Sequence, residues 1–217
     1  MTDHLGADRF HEILRKDRCP VCFLTQLSEV ERLRSFLSEF VNDPQVRKRI
    51  SASGGFCHRH AWMSVSSGNN PVGVGLVHQA LLAEGLDRVG HAAKPGLFGS
   101  SRKQEECIVC AWKRHVEDNF CRQFAAAWGG SPKLREEFDK NGILCFPHLE
   151  KALKTAPKRE DKASLVSAGR KALDGLLEEL SEFLGKQDHL RSHEKTGPEW
   201  DSWIRAVRMM VGEKGTG

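Results

Sequence analysis

The sequence predicts an all-α, internally duplicated helical bundle with two Cys3His metal sites at helix ends. Three observations carry that prediction. Apolar residues recur every three or four positions through most of the chain, and no stretch alternates as a strand does. The pattern C-x2-C-x34-C-x2-H occurs twice. It runs from Cys19 and Cys22 to Cys57 and His60, and again from Cys107 and Cys110 to Cys145 and His148. A shift of 88 residues lays 19–60 over 107–148 without a gap, and eleven of the 42 positions are identical. Pro44 meets Pro132, Gly54 meets Gly142 and Phe36 meets Phe124, so a backbone path is repeated as well as a ligand set.

The elements follow in order. Residues 7–16 form a short amphipathic helix with Phe10, Ile13 and Leu14 inward. Pro20 suits a first helical turn. The stripe Leu24, Leu27, Val30, Leu33, Phe36, Leu37 and Phe40 gives a long helix over 22–41. Asn42-Asp43-Pro44 ends it and starts a second helix, 44–52, which Gly54-Gly55 closes. A helix over 57–65 with Trp62 and Met63 as packing groups, a polar turn at 66–71 and a helix over 76–92 complete the first copy. Leu81, Leu82, Leu86 and Val89 are its core candidates. The second copy gives helices over 108–128, 132–140 and 160–185. A last helix over 198–211 carries Trp200, Trp203, Ile204, Val207 and Met210 as packing groups, and 211–217 is expected to fray. The division predicted is a first repeat at 1–93, a Pro/Gly/Ser-containing linker at 94–104, and a second repeat with C-terminal helices at 105–217.

Thiolates with one imidazole nitrogen are a zinc set, four ligands in a tetrahedron. Each CxxC and CxxH lies at or beside a helix start, where unpaired N–H groups and the positive dipole end favour thiolate. The candidate ligands are therefore Cys19, Cys22, Cys57, His60, Cys107, Cys110, Cys145 and His148, holding two zinc ions. Cys3His also suits iron–sulfur clusters, which gives the alternative of an electron-transfer or dithiol redox protein. A long helix out, a shorter helix back and a few extended residues let each copy close its own site without slack. Exchange is the alternative, with Cys19 and Cys22 meeting Cys145 and His148, and the reverse. A full shell of four protein ligands leaves no position for a water, so the sites read as structural and no catalytic residue is assigned.

Composition narrows the function. The net charge of +4 is mild, which ranks a nucleic-acid-associated regulator last. No apolar run spans a membrane, and the polar N-terminus lacks a secretory pattern, so a cytoplasmic protein is expected. Six of the seven cysteines belong to the motifs. The seventh, Cys121, reads as a small buried side chain. Arg47, Lys48, Arg49 and Arg59 have counterparts in the overlay that include Glu136 and Glu137, a charge asymmetry between the copies.

The sequence Cys-Pro-x-Cys, a long helix, then Gly-Phe-Cys-x-x-His-Ala-Trp resembles a bacterial domain-of-unknown-function family of duplicated CxxC…CxxH proteins. The likeness covers about 17–62 and 105–149. Ile108 stands where the pattern has proline, and Glu150 where it has tryptophan. The resemblance implies the duplication and no activity. The function expected is an interaction scaffold for a protein partner, pinned by metal.

Overall fold

A computed structural model describes residues 7–14, 18–67, 70–92, 105–188, 191 and 193–215. The described residues form ten α-helices and no strand. These are α1 (Ala7–Ile13), α2 (Pro20–Ser38), α3 (Pro44–Ala52), α4 (His58–Ser67), α5 (Pro71–Ala92), α6 (Ile108–Gly130), α7 (Pro132–Asn141), α8 (Phe146–Thr155), α9 (Arg159–Gly185) and α10 (Ser202–Val211), with a 3₁₀ turn at Pro198–Asp201 before the last. The linker expected at 94–104 lies outside the described residues.

The duplication extends beyond the motifs. Helices α2, α3, α4 and α5 begin at residues 20, 44, 58 and 71; α6, α7, α8 and α9 begin at 108, 132, 146 and 159. Every pair keeps the same offset. Equivalent starts use equivalent chemistry. Asp43 caps α3 by accepting from the N–H groups of Gln45 and Val46, and Ser131 caps α7 by accepting from Leu134, each with proline at the first helical position. Helix α5 begins five residues earlier than periodicity predicts. Asn70 is the reason: its Oδ1 accepts the Gly73 N–H at 2.9 Å, and Pro71 opens the helix. Helix α8 has no counterpart among the predicted elements, although α4, its partner in the other copy, does.

The matched glycines do different work. Gly54 and Gly55 turn the chain with φ of 66° and 104°, a conformation that suits glycine. Gly142 has φ −99°, and any side chain would strike the Phe138 ring.

The chain forms two compact units that cut across the sequence repeats. One is split, Met1–Gln26 with Glu117–Gly217, and the other is continuous, Leu27–Val116. Helix α2 therefore starts in the split unit and α6 in the continuous one. Each unit has its own core. In the split unit Phe124 meets Phe10, Trp128 and Phe138 at ring-centroid distances of 5.3, 6.0 and 5.9 Å. Trp128, 1% exposed, donates its indole N–H to Ser164 at 2.9 Å. In the continuous unit Leu33, Phe36, Leu37, Ile50, Val77 and Val109 are buried together. Arg32 lies over the rings of Phe36 and Trp112 at 4.6 and 4.4 Å, a cation–π contact between α2 and α6. Core positions match across the copies in kind: Phe36 with Phe124, Ile50 with Phe138, Val21 with Val109 and Val77 with Leu165 are all buried. Each fully buried side chain of this size contributes about 1.5–3 kcal/mol.

Three packing expectations are corrected. Leu82, Leu86 and Val89 are exposed, because α5 carries two apolar stripes and its inner one is Val74, Val77 and Leu81. Trp62, expected to pack, is likewise exposed. On the last segment Trp200, Trp203, Ile204, Val207 and Met210 are exposed, while Met209 and Ser202 are buried. The segment after α10 is anchored rather than frayed through residue 214: Gln26 donates its side-chain N–H to the Lys214 carbonyl at 2.9 Å, and Glu213 donates its N–H to Cys22 Sγ at 3.5 Å.

Candidate metal centres

All four motifs are built alike. In each, the first cysteine stands just before a helix, and its carbonyl accepts the N–H four residues on. The pairs are Phe23 to Cys19, Ala61 to Cys57, Ala111 to Cys107 and Leu149 to Cys145, at 2.8–3.1 Å. The second ligand lies three residues later on the first turn, the spacing that brings side chains to one side of a helix. Two ligands thus converge at every helix N-terminus.

The motifs then assemble crosswise. Cys19, Cys22, Cys145 and His148 form one group in the split unit; Cys57, His60, Cys107 and Cys110 form the other in the continuous unit. Within each group the four donor atoms all lie within 4.8 Å of one another, so each group could hold a metal ion. Of the two closures open to the sequence, the protein adopts the exchanged one: each CxxC joins the CxxH of the other copy.

At the first site, His148 Nδ1 lies 3.4, 3.3 and 3.0 Å from the sulfurs of Cys19, Cys22 and Cys145, and the Cys22 and Cys145 sulfurs are 3.7 Å apart. At the second, His60 Nδ1 lies 3.1, 3.6 and 3.4 Å from those of Cys57, Cys107 and Cys110, and the Cys57 and Cys110 sulfurs are 3.6 Å apart. Both imidazoles therefore present Nδ1 to the sulfurs.

Their Nε2 atoms are held by a carboxylate. His60 Nε2 meets Glu29 Oε1 at 2.6 Å, and His148 Nε2 meets Glu117 Oε1 at 2.9 Å. A cation completes each set. Arg59 grips both oxygens of Glu29 at 2.7 and 2.5 Å, and Lys151 reaches Glu117 at 2.7 Å. Such a carboxylate fixes the tautomer that leaves Nδ1 free to ligate and makes it more basic. Glu29 and Glu117 are not ligands and were not picked out by motif spacing. The signal for them is in the overlay, where they are two of the eleven identities. The carboxylate and the CxxH come from the same copy. Glu29 lies seven residues beyond Cys22, about 10 Å along α2 at 1.5 Å per residue.

The electrostatics divide the donors, raising both imidazoles and one thiol of each site and lowering another thiol. Burial works against His148 and His60 as cations, yet bonds to Cys145 and Cys22 lift His148 to about 12, and bonds to Cys107 and Glu29 lift His60 to about 9. Burial pushes Cys19 and Cys110 up, Cys110 to about 12. Hydrogen bonds from Cys145 and Cys19 hold Cys22 far below the usual thiol range. Burial raises Cys107, but His60 and nearby backbone N–H groups bring it down to about 6. Each site thus sets a lowered thiol beside a raised imidazole, and a metal on binding would displace the imidazole's Nδ1 proton while Nε2–H stays on the glutamate. Glu117, despite burial, is lowered to about 2 by His148 and Lys151.

The sites differ in cover. Cys19, Cys22, Cys145 and His148 are all buried, whereas Cys57 and Cys110 are half-buried. Over the first site, Met209 of α10 and Glu213 line the same small cavity as Cys19 and Cys145.

A match to the family of unknown function DUF6062 runs over residues 8–216. The chain belongs to that family. A relative of similar length is an uncharacterized 23.9 kDa protein in the xynA 3' region of Caldicellulosiruptor sp. (strain Rt8B.4), 28% identical over 205 residues, covering 93% of this chain and 98% of that one. No solved structure matches. For DUF6062 membership the duplicated motifs of this chain now have a three-dimensional counterpart in two four-residue groups. Elsewhere, Cys121 is fully buried and its thiol is pushed up to about 12 by that burial, consistent with a packing role. His58 lies outside both groups, exposed beside Trp62. No helix among the described residues is long and apolar enough to cross a membrane.

Proposed function

We propose that this DUF6062 protein is a zinc-pinned helical scaffold, with one structural zinc ion in each Cys3His group. The observation that carries the reading is the donor geometry. A tetrahedral zinc with Zn–S of about 2.3 Å and Zn–N of about 2.0–2.1 Å has S···S edges of about 3.8 Å and S···N edges of about 3.6 Å. One pair of sulfurs in each site is 3.6 or 3.7 Å apart, all four donors lie within 4.8 Å of one another, and the sulfur–nitrogen distances run from 3.0 to 3.6 Å. A cluster would spread its ligands over several iron atoms, whereas these donors converge on one point. With zinc bound, three thiolates and an imidazole fill the shell, so the metal supplies cross-linking rather than a reactive water. Cys19, Cys22, Cys145 and His148 would hold one ion, and Cys57, His60, Cys107 and Cys110 the other. The exposed apolar residues Trp62, Leu82 and Leu86 on α4 and α5 support a protein partner for the scaffold.

Metal analysis and an absorption spectrum of anaerobically purified protein test the reading. Two zinc ions per chain and a colourless solution are expected. Iron with visible absorbance would overturn it in favour of an electron carrier.

A further inference from the structure

The two sites are the same construction under different cover, and the difference bears on what oxidants can reach. Cys57 and Cys110 are repeat-equivalent to Cys145 and Cys22. The sulfurs of the two pairs are 3.6 and 3.7 Å apart, so both have the same reach toward a bond of about 2.05 Å. Cys145 and Cys22 are 2% and 0% exposed, and Cys22 accepts the Glu213 N–H. Cys57 and Cys110 are each partly open to solvent, while their companions Cys107 and His60 are not. The two half-buried cysteines of the second site are thus a pair whose sulfurs lie 3.6 Å apart.

We propose that Cys57 and Cys110 are an oxidation site, at which a hydroperoxide joins the two sulfurs and releases the second metal ion while the first is retained. This rests on the metal-binding reading. One thiolate attacks a peroxide oxygen and breaks the O–O bond, giving a sulfenic acid and hydroxide. The other thiolate attacks the sulfenic sulfur, forming the S–S bond and expelling a second hydroxide. The sulfurs lose two electrons, the peroxide gains them, and two protons from solvent turn the hydroxides into water when hydrogen peroxide is the oxidant. The ion then keeps only Cys107 and His60 and leaves. A dithiol reductant with added zinc reverses the step.

The test uses the full zinc-loaded chain, a few equivalents of hydrogen peroxide, a chelating dye that reports free zinc, and peptide mapping without reduction. The expected result is metal content falling from two ions to one, with Cys57 and Cys110 in one linked peptide pair. Equal release from both sites, a Cys22–Cys145 link, or oxidation without release would overturn it. Met209→Ala thins the cover of the first site without touching a ligand, and should let that zinc go to peroxide too; unchanged protection would refute cover as the cause. A protein that takes up no zinc fails the metal reading instead. In that event the peptide map of the free thiols still decides whether Cys57 and Cys110 link before Cys22 and Cys145.

Discussion

The two metal centres differ in almost nothing that ligates and in much that surrounds. Each has three sulfurs and an imidazole Nδ1, with a glutamate on Nε2. The first shares a small cavity with Met209 of the C-terminal helix, and the second has two half-buried cysteines. The carboxylates differ in the opposite sense. Glu29 at the second site is 1% exposed and gripped by an arginine fork, whereas Glu117 at the first is 15% exposed and shares a lysine with Asp118. Duplication copied the ligands and left the protection of each to local sequence.

Removing a ligand should break the comparison most strongly. Cys22→Ser and Cys110→Ser are each expected to lower bound zinc from two to one. Loss of a metal belongs among the few changes that cost more than about 4 kcal/mol, and each kcal/mol moves the midpoint by about 2–4 °C in a chain of this size. Melting should therefore drop by about 8 °C or more, with the larger drop for Cys22→Ser because it leaves its partners fully buried.

Neutralising the carboxylates comes next. Glu29→Gln and Glu117→Gln should weaken zinc at their own sites by about 10–100-fold, read by competition with a chelator. Glu29→Gln should fall at the upper end, since Arg59 and His60 lose a partner in a buried position. Equal, negligible effects would mean that the glutamates only balance charge. The smallest effect is expected from Glu199→Gln. Glu199 accepts from Lys186 and from the Gly197 N–H, both at 2.8 Å, and ties the 3₁₀ turn before α10 to the end of α9. Weakening that tie should speed zinc exchange at the first site severalfold and leave the second unchanged, in a pulse-chase with isotopically labelled zinc.

The fold class and the eight clustered residues were legible because periodicity and spacing are local signals. Pro44 and Pro132 marked their helix starts to the residue. The pairing was not legible: a 34-residue spacer allows either closure, and the contacts that bring His60 to Cys107 and Cys110 join residues 47 and 50 positions apart that no motif relates. Nor was the second apolar stripe of α5, because periodicity reports that a helix has an apolar face without saying which of two faces turns inward. Leu81 and Leu82 are neighbours with opposite fates.

The crossed pairing also sets an order of events for a chain made from its N-terminus. The continuous unit holds all four residues of the second site and is complete once residue 116 has been added. Cys19 and Cys22, made first, have no finished site until His148 follows, and their cover waits for Met209 and Glu213. The earliest thiols off the ribosome are thus the last to be sealed. Domains generally fold as units during synthesis, so the inner segment would load its ion while the outer one is still an open clasp, and a stalled nascent chain whose residue 116 has cleared the ribosome should already carry one zinc.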